Sequence, residues 1–130
     1  MRAPLASLLF VLVAAAHAAH AAPLPPAARA EAEALLLRMQ ASGCEFQRNG
    51  SWYSGAEARG HLLKKLDYLE GKGLITTTEQ FIAQGASSSS MSGKPYLVRC
   101  AGKPVQETGP WFLAELKALR QPQAASGVKK

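Results

Sequence analysis

Apolar residues recur along this chain with two periods, a helical one near 3.6 and a strand one of 2, and the switches between them predict its elements. Residues 27–40 are strong helix formers, with Leu35, Leu36 and Met39 on one face. Gly43 follows as the residue that tolerates the left-handed backbone of a helix end. The period then shortens to 2: Cys44 and Phe46 point one way, Glu45 and Gln47 the other. Asn49 and Gly50 are the dipeptide of a type I′ hairpin turn, and Ser51, Trp52 and Tyr53 form a return strand. Ser54 with Glu57 three residues on is a capping box. The helix it opens spans about 55–70, with Ala58, Leu62, Leu66 and Leu69 as its buried stripe. Glu57, His61, Lys64 or Lys65, and Tyr68 form a neighbouring, wetter face.

Gly71 and Gly73 stop that helix. Thr76 or Thr77 caps a third one with Glu79 or Gln80 as partner, Phe81 and Ile82 give its apolar contacts, and Gly85 is expected to end it. A serine-rich loop runs from there to a turn at Gly93. Pro95 belongs at the start of a strand, since it cannot donate to a ladder. Tyr96, Val98 and Cys100 then share one face, with Leu97 and Arg99 on the other. Ala101, Gly102 and Lys103 suggest a turn into a weak strand at Val105. Pro110 opens a last helix carrying Trp111, Phe112, Leu116 and Leu119. The sum is an α+β domain over 22–121: four helices around a small antiparallel sheet of two hairpin-like segments. Residues 122–130 are small, polar and basic, and read as a disordered tail.

The start of the chain reads differently. Met1 and Arg2 supply a positive charge, residues 5–16 are apolar, and Ala19-His20-Ala21 is a small-residue cleavage site, with Ala16-His17-Ala18 as a second. The apolar run is shorter than the roughly 20 residues of a membrane-spanning helix. Residues 1–21 are therefore expected to be a cleaved signal peptide, with no membrane anchor, and no cysteine follows closely enough to accept a lipid. Export changes the meaning of Cys44 and Cys100. In an oxidising compartment they are expected to pair, which in the chain-entropy model stabilises the fold by about 4 kcal/mol.

The formal charge is +6, one unit of it from Arg2. The cations are scattered from Arg29 to Lys130 with no dense tract interleaved with aromatics, a pattern that does not point to nucleic acid. It suits solubility or contact with anionic envelope polymers.

Phe46-Gln-Arg-Asn-Gly50, Tyr53, Glu57-Ala58, His61-Leu62 and Lys65 resemble the first motif of the YfeK-like family of small bacterial periplasmic proteins, a domain of unknown function. Glu79-Gln-Phe-Ile82 resembles the family's middle segment. The four serines Ser87, Ser88, Ser89 and Ser90, with Ser92-Gly-Lys-Pro-Tyr96, resemble its most recognisable one. The likeness covers about 35–119. It implies a periplasmic location and brings no activity with it.

The chemistry-bearing motifs mostly fail on spacing. Gly85 and Gly93-Lys94 do not have the four-residue gap of a phosphate-binding P-loop, and Pro95 stands where a magnesium-binding hydroxyl belongs. Met91 occupies the serine position of an S-x-x-K motif ending at Lys94. His61 is the one histidine left after cleavage, and the carboxylates do not cluster, so no metal and no cofactor are expected. His61 itself is expected at a helix edge with Glu57 as its hydrogen-bond partner. No catalytic residue is assigned.

The leading expectation is a binding or interaction protein, its surface formed by Ser90, Ser92, Gly93, Lys94 and Tyr96 with Arg48, Asn49, His61 and Lys65 nearby. Hydroxyls, backbone amides and cations together suit an anionic small molecule, an envelope polymer or a periplasmic protein partner. Two alternatives stay open. One is a serine hydrolase-like enzyme using a loop serine with His61. The other is an inhibitor of a cell-wall hydrolase, because residues 92–96 fit the S-G-x-x-Y loop of some periplasmic lysozyme inhibitors; the basic charge opposes that encounter.

Overall fold

The computed structural model describes residues 2–3 and 23–122. The leader expected over 1–21 and the tail expected over 122–130 therefore lie almost wholly outside the described residues. Eight elements follow in order: α1 (Pro26–Ala41), β1 (Glu45–Arg48), β2 (Ser51–Ser54), α2 (Gly55–Gly71), α3 (Thr78–Gly85), β3 (Leu97–Arg99), β4 (Gln106–Glu107) and α4 (Thr108–Leu119). The four strands form one antiparallel sheet in the order β2-β1-β3-β4. The fold is α+β, as the periodicity predicts.

Local signals set most boundaries. Asn49 and Gly50 both take positive φ, 49° and 86°, the two left-handed residues that a type I′ turn requires. Ser54 Oγ accepts from the Glu57 amide at 3.2 Å, and Glu57 Oε1 accepts from the Ser54 amide at 3.4 Å, closing the capping box on α2. Thr77 caps α3 by accepting from the Gln80 amide at 3.0 Å. The Gln80 side chain returns one residue further back than expected, to the Thr76 amide at 2.6 Å.

Phe46 lies opposite both Tyr53 on β2 and Val98 on β3, so the three share the inner face of the sheet. Phe46 and Val98 are buried there under the helices. The outer face is wet: Arg99 stacks over Trp52 at 4.0 Å and pairs with Glu45 at 3.0 Å. The core is completed by Leu35, Leu36, Leu66, Ile75, Phe81 and Phe112, all less than 2 % exposed. Cys44 and Cys100 form a disulfide just beyond the Glu45–Arg99 pair, tying the ends of β1 and β3.

Four expectations are corrected. Gly85 is the last residue of α3, as expected, but not through a left-handed backbone, since it is not among the positive-φ residues. Its role is packing: a Cβ there would lie 2.8 Å from the ring of Phe81 and 3.1 Å from Leu69. α4 begins at Thr108, two residues before Pro110, because the Thr108 hydroxyl donates to the Ala86 carbonyl at 2.6 Å and draws the chain into the core early. Pro110 still falls among the first amides, which have no helical partner. The weak fourth strand sits at Gln106–Glu107 rather than at Val105, in register with Leu97 and Val98. The serine loop is only partly presented outward. Ser89 is 5 % exposed, Ser88 bridges Pro95, and the Ser87 hydroxyl donates to the Ile82 carbonyl at 2.6 Å. Residues 90–95 remain exposed.

Candidate functional site

The inner face of the sheet and one side of α2, with Met39, Ala86 and Thr108, line a half-open cavity of about 190 Å³. Strand alternation puts Arg48 on the same face as Phe46, and its guanidinium lies 5.3 Å from the centre of the Tyr53 ring. Helical spacing puts His61 and Lys65 one turn apart on α2, with Ala58 and Leu62 beside them. Tyr96, just before β3, is buried at 5 % exposure and lies against His61 and Lys65.

The polar groups touch one another in a chain. Arg48 Nη1 lies 2.8 Å from His61 Nδ1 and 3.2 Å from Nε2. A guanidinium only donates, so the nearer ring nitrogen accepts. That network assigns the imidazole proton to Nε2, which faces Tyr96 Oη at 3.3 Å. Lys65 Nζ donates to the same phenol oxygen at 3.0 Å and to the Ser88 carbonyl at 3.0 Å. Both lone pairs of Tyr96 Oη are then occupied, and its own O–H remains a donor.

Burial dominates the electrostatics. It lowers His61 below its ordinary value of 6.5, and the neighbouring charges of Arg48, Lys65 and Lys64 push the same way. It also lowers Lys65, helped by Arg48. It raises Tyr96, with Arg48 pulling weakly against it. The cluster is therefore cationic around a neutral imidazole and a neutral phenol.

Among the described residues no carboxylate forms an ion pair with these cations. Arg29 pairs with Glu33, Asp67 and Glu70, Arg120 with Glu31 and Glu79, Arg38 with Glu115, and Arg99 with Glu45. Glu57 lines the cavity, but its carboxylate is engaged with Ser54, so it is not the hydrogen-bond partner of His61 that its spacing suggests. Among the described residues Arg48 and Lys65 have no ion-pair partner.

The nine residues singled out in the sequence thus divide. Arg48, His61, Lys65 and Tyr96 form the cluster. Asn49 and Ser92 form a clasp beside it: Ser92 Oγ donates to Asn49 Oδ1 at 2.7 Å, and Asn49 Nδ2 reaches Ser89 Oγ at 3.5 Å. Gly93, at φ 73°, completes the loop by donating to the Ser89 carbonyl at 2.8 Å. Ser90 and Lys94 stand in solvent, outside both groups. Tyr53 and the apolar walls Met39, Phe46 and Ala86 went unrecognised as site residues. The parity of Phe46 with Arg48 along β1 was the available signal. No group of three or more His, Cys, Asp or Glu side chains suited to a metal occurs among the described residues, and none of their helices is long and apolar enough to cross a membrane.

A family of unknown function, DUF5329, matches residues 26–120, which takes in every element from α1 to α4. The chain belongs to this family. The chain is also 49% identical over 51 residues to the uncharacterized protein YfeK of Salmonella typhimurium strain LT2, a match covering 39% of this chain. The chain spans 41% of the length of that curated relative. No solved structure matches. The YfeK-like resemblance read from the motifs is therefore upheld, and the family brings no activity to the cluster.

Proposed function

We propose that this protein is an exported, periplasmic binding protein that takes a small anionic ligand at Arg48, Lys65, His61 and Tyr96, with the serine loop as one wall. One observation carries this reading: Arg48 on the cavity wall and Lys65 beside it on Tyr96 have no ion-pair partner among the described residues, while the one carboxylate that lines the cavity, Glu57, is hydrogen-bonded to Ser54 and most others pair with other arginines. Unpaired cations at a concave site favour an anionic guest. The loop contributes the Ser88 carbonyl that holds Lys65, and the Asn49–Ser92 clasp keeps the loop against the hairpin.

One feature favours binding over hydrolysis, and another favours it over an inhibitor loop. Among the described residues no serine hydroxyl hydrogen-bonds His61, whose ring nitrogens face Arg48 and Tyr96. A nucleophile needs its base within hydrogen-bond reach. Ser92, on which an inhibitor loop would depend, is occupied by Asn49.

Titration calorimetry at pH 7 with acetate, hexanoate, benzoate and inorganic phosphate tests the reading. At least one of these anions should bind, and Arg48→Met together with Lys65→Met should weaken it tenfold or more while the melting temperature shows an intact fold. Binding that survives both substitutions, or no binding by any of the four, overturns it.

A further inference from the structure

We infer that the guest of this cavity is a single-headed amphipathic acid, one carboxylate at Arg48 and Tyr96 with an apolar body inside. The inference rests on the anion-binding reading above and narrows it. Size comes first. At about 190 Å³ the cavity is smaller than the roughly 300–1,000 Å³ of sites for drug-sized molecules. An apolar cavity of about 150 Å³ takes benzene, so this one admits a single ring or a chain of similar bulk.

Wall chemistry comes second. Met39, Phe46, Ala58, Leu62 and Ala86 give an apolar interior. Thr108 also lines it, but its hydroxyl is bonded to the Ala86 carbonyl. Of the polar residues that line it, Glu57 is hydrogen-bonded to Ser54 and strand alternation turns the Gln47 side chain to the other face. The donors that remain belong to Arg48, to Tyr96, which it meets through His61, and to Tyr53, whose ring Arg48 covers. A guest must therefore be polar at one end and apolar along the rest, because an apolar wall does not compensate a buried polar group.

The head group follows from charge and donors. A guanidinium has five N–H donors, and only one of its nitrogens is engaged here. Its planar fork matches the two oxygens of a carboxylate, and the Tyr96 O–H can join as a third donor. Lys65 adds a second positive charge beside Tyr96 and the Ser88 carbonyl, the Glu57 carboxylate on the cavity wall brings one negative charge, and His61 is neutral. The local surplus thus suits one negative charge better than the two of a phosphate.

Calorimetry with hexanoate, benzoate, acetate, inorganic phosphate and hexanol separates the outcomes. Hexanoate or benzoate should bind at least tenfold tighter than acetate, phosphate and hexanol. Ala58→Leu, which puts bulk into the cavity, should cut hexanoate and benzoate affinity to the acetate level without weakening acetate. Ala58→Val gives a milder version should the larger side chain lower the melting temperature. Acetate or phosphate binding as tightly as hexanoate overturns this inference and leaves the anion reading standing. Hexanol binding as tightly as hexanoate overturns both, since the acid head would then contribute nothing. No binding by any of the five also overturns both.

Discussion

His61 is the residue on which the cluster turns, because it lies between a permanent cation and a phenol. Its imidazole must accept from Arg48, and protonation would remove that lone pair and add a third positive charge. Burial and the Arg48 and Lys65 charges accordingly hold its folded value below 6.5. The sign of the linkage follows. An unfolded histidine titrates near 6.5, so below that pH the unfolded chain binds more protons than the folded one. The contribution of His61 to stability is complete above about 6.5 and is lost as pH falls through its depressed folded value. An NMR titration of the imidazole should give a value below 6.5. In Arg48→Met that value should move up toward 6.5, since one of its causes has gone. A wild-type value at or above 6.5 would contradict the contact with Arg48.

At the scale of elements, two arginines hold the helices together from outside the core. Arg29 ties α1 to α2 through Asp67 at 2.7 Å and Glu70 at 2.8 Å. Arg120, just past α4, reaches Glu31 on α1 at 2.7 Å and Glu79 on α3 at 3.0 Å. Its guanidinium holds both carboxyls below their ordinary 4.5. A depressed carboxyl stabilises the fold above its unfolded value, and that contribution is lost as pH falls through the folded one. The groups are largely exposed, so solvent screening keeps the effect below about 1 kcal/mol. Arg120→Gln should therefore lower the melting temperature by a few degrees at pH 7, and the gap from the wild type should narrow progressively as pH falls below 4.5. A gap that is constant with pH would mean that Arg120 acts through packing alone.

For the whole molecule, what could be read from the chain was whatever needs only neighbours in sequence. The Ser54–Glu57 box, the Asn49–Gly50 turn and the apolar stripes of α1 and α2 are local, and all are present in the structure. The convergence of Arg48 with His61 and Lys65 requires the β1–β2 hairpin to pack on α2, which no local pattern states; only their parity on each element hinted at it. Gly85 was misread because close packing against Phe81 and a left-handed turn both select glycine. Division of the serine loop into a buried and an exposed half escaped notice because hydroxyls suit either, once carbonyls such as that of Ile82 accept from them. The disulfide is the one long-range contact that composition, together with the expectation of export, made legible. It joins residues 56 apart in sequence at the Cys44 end of β1, whereas Arg48 stands at the other end, held by Tyr53 of the hairpin and His61 of α2. Stability and site should therefore separate. Replacing both cysteines by alanine should reduce the unfolding free energy by about 4 kcal/mol, chiefly by releasing the unfolded chain, and the denaturant midpoint would fall accordingly. At 25 °C in the absence of denaturant the variant should still fold, since a domain of this kind holds about 5–15 kcal/mol. Its affinity for whichever anion the wild type binds should stay within about twofold. A midpoint that does not move would deny the disulfide its role in stability, and a folded variant that no longer binds would place the cluster under the control of the far end of the sheet.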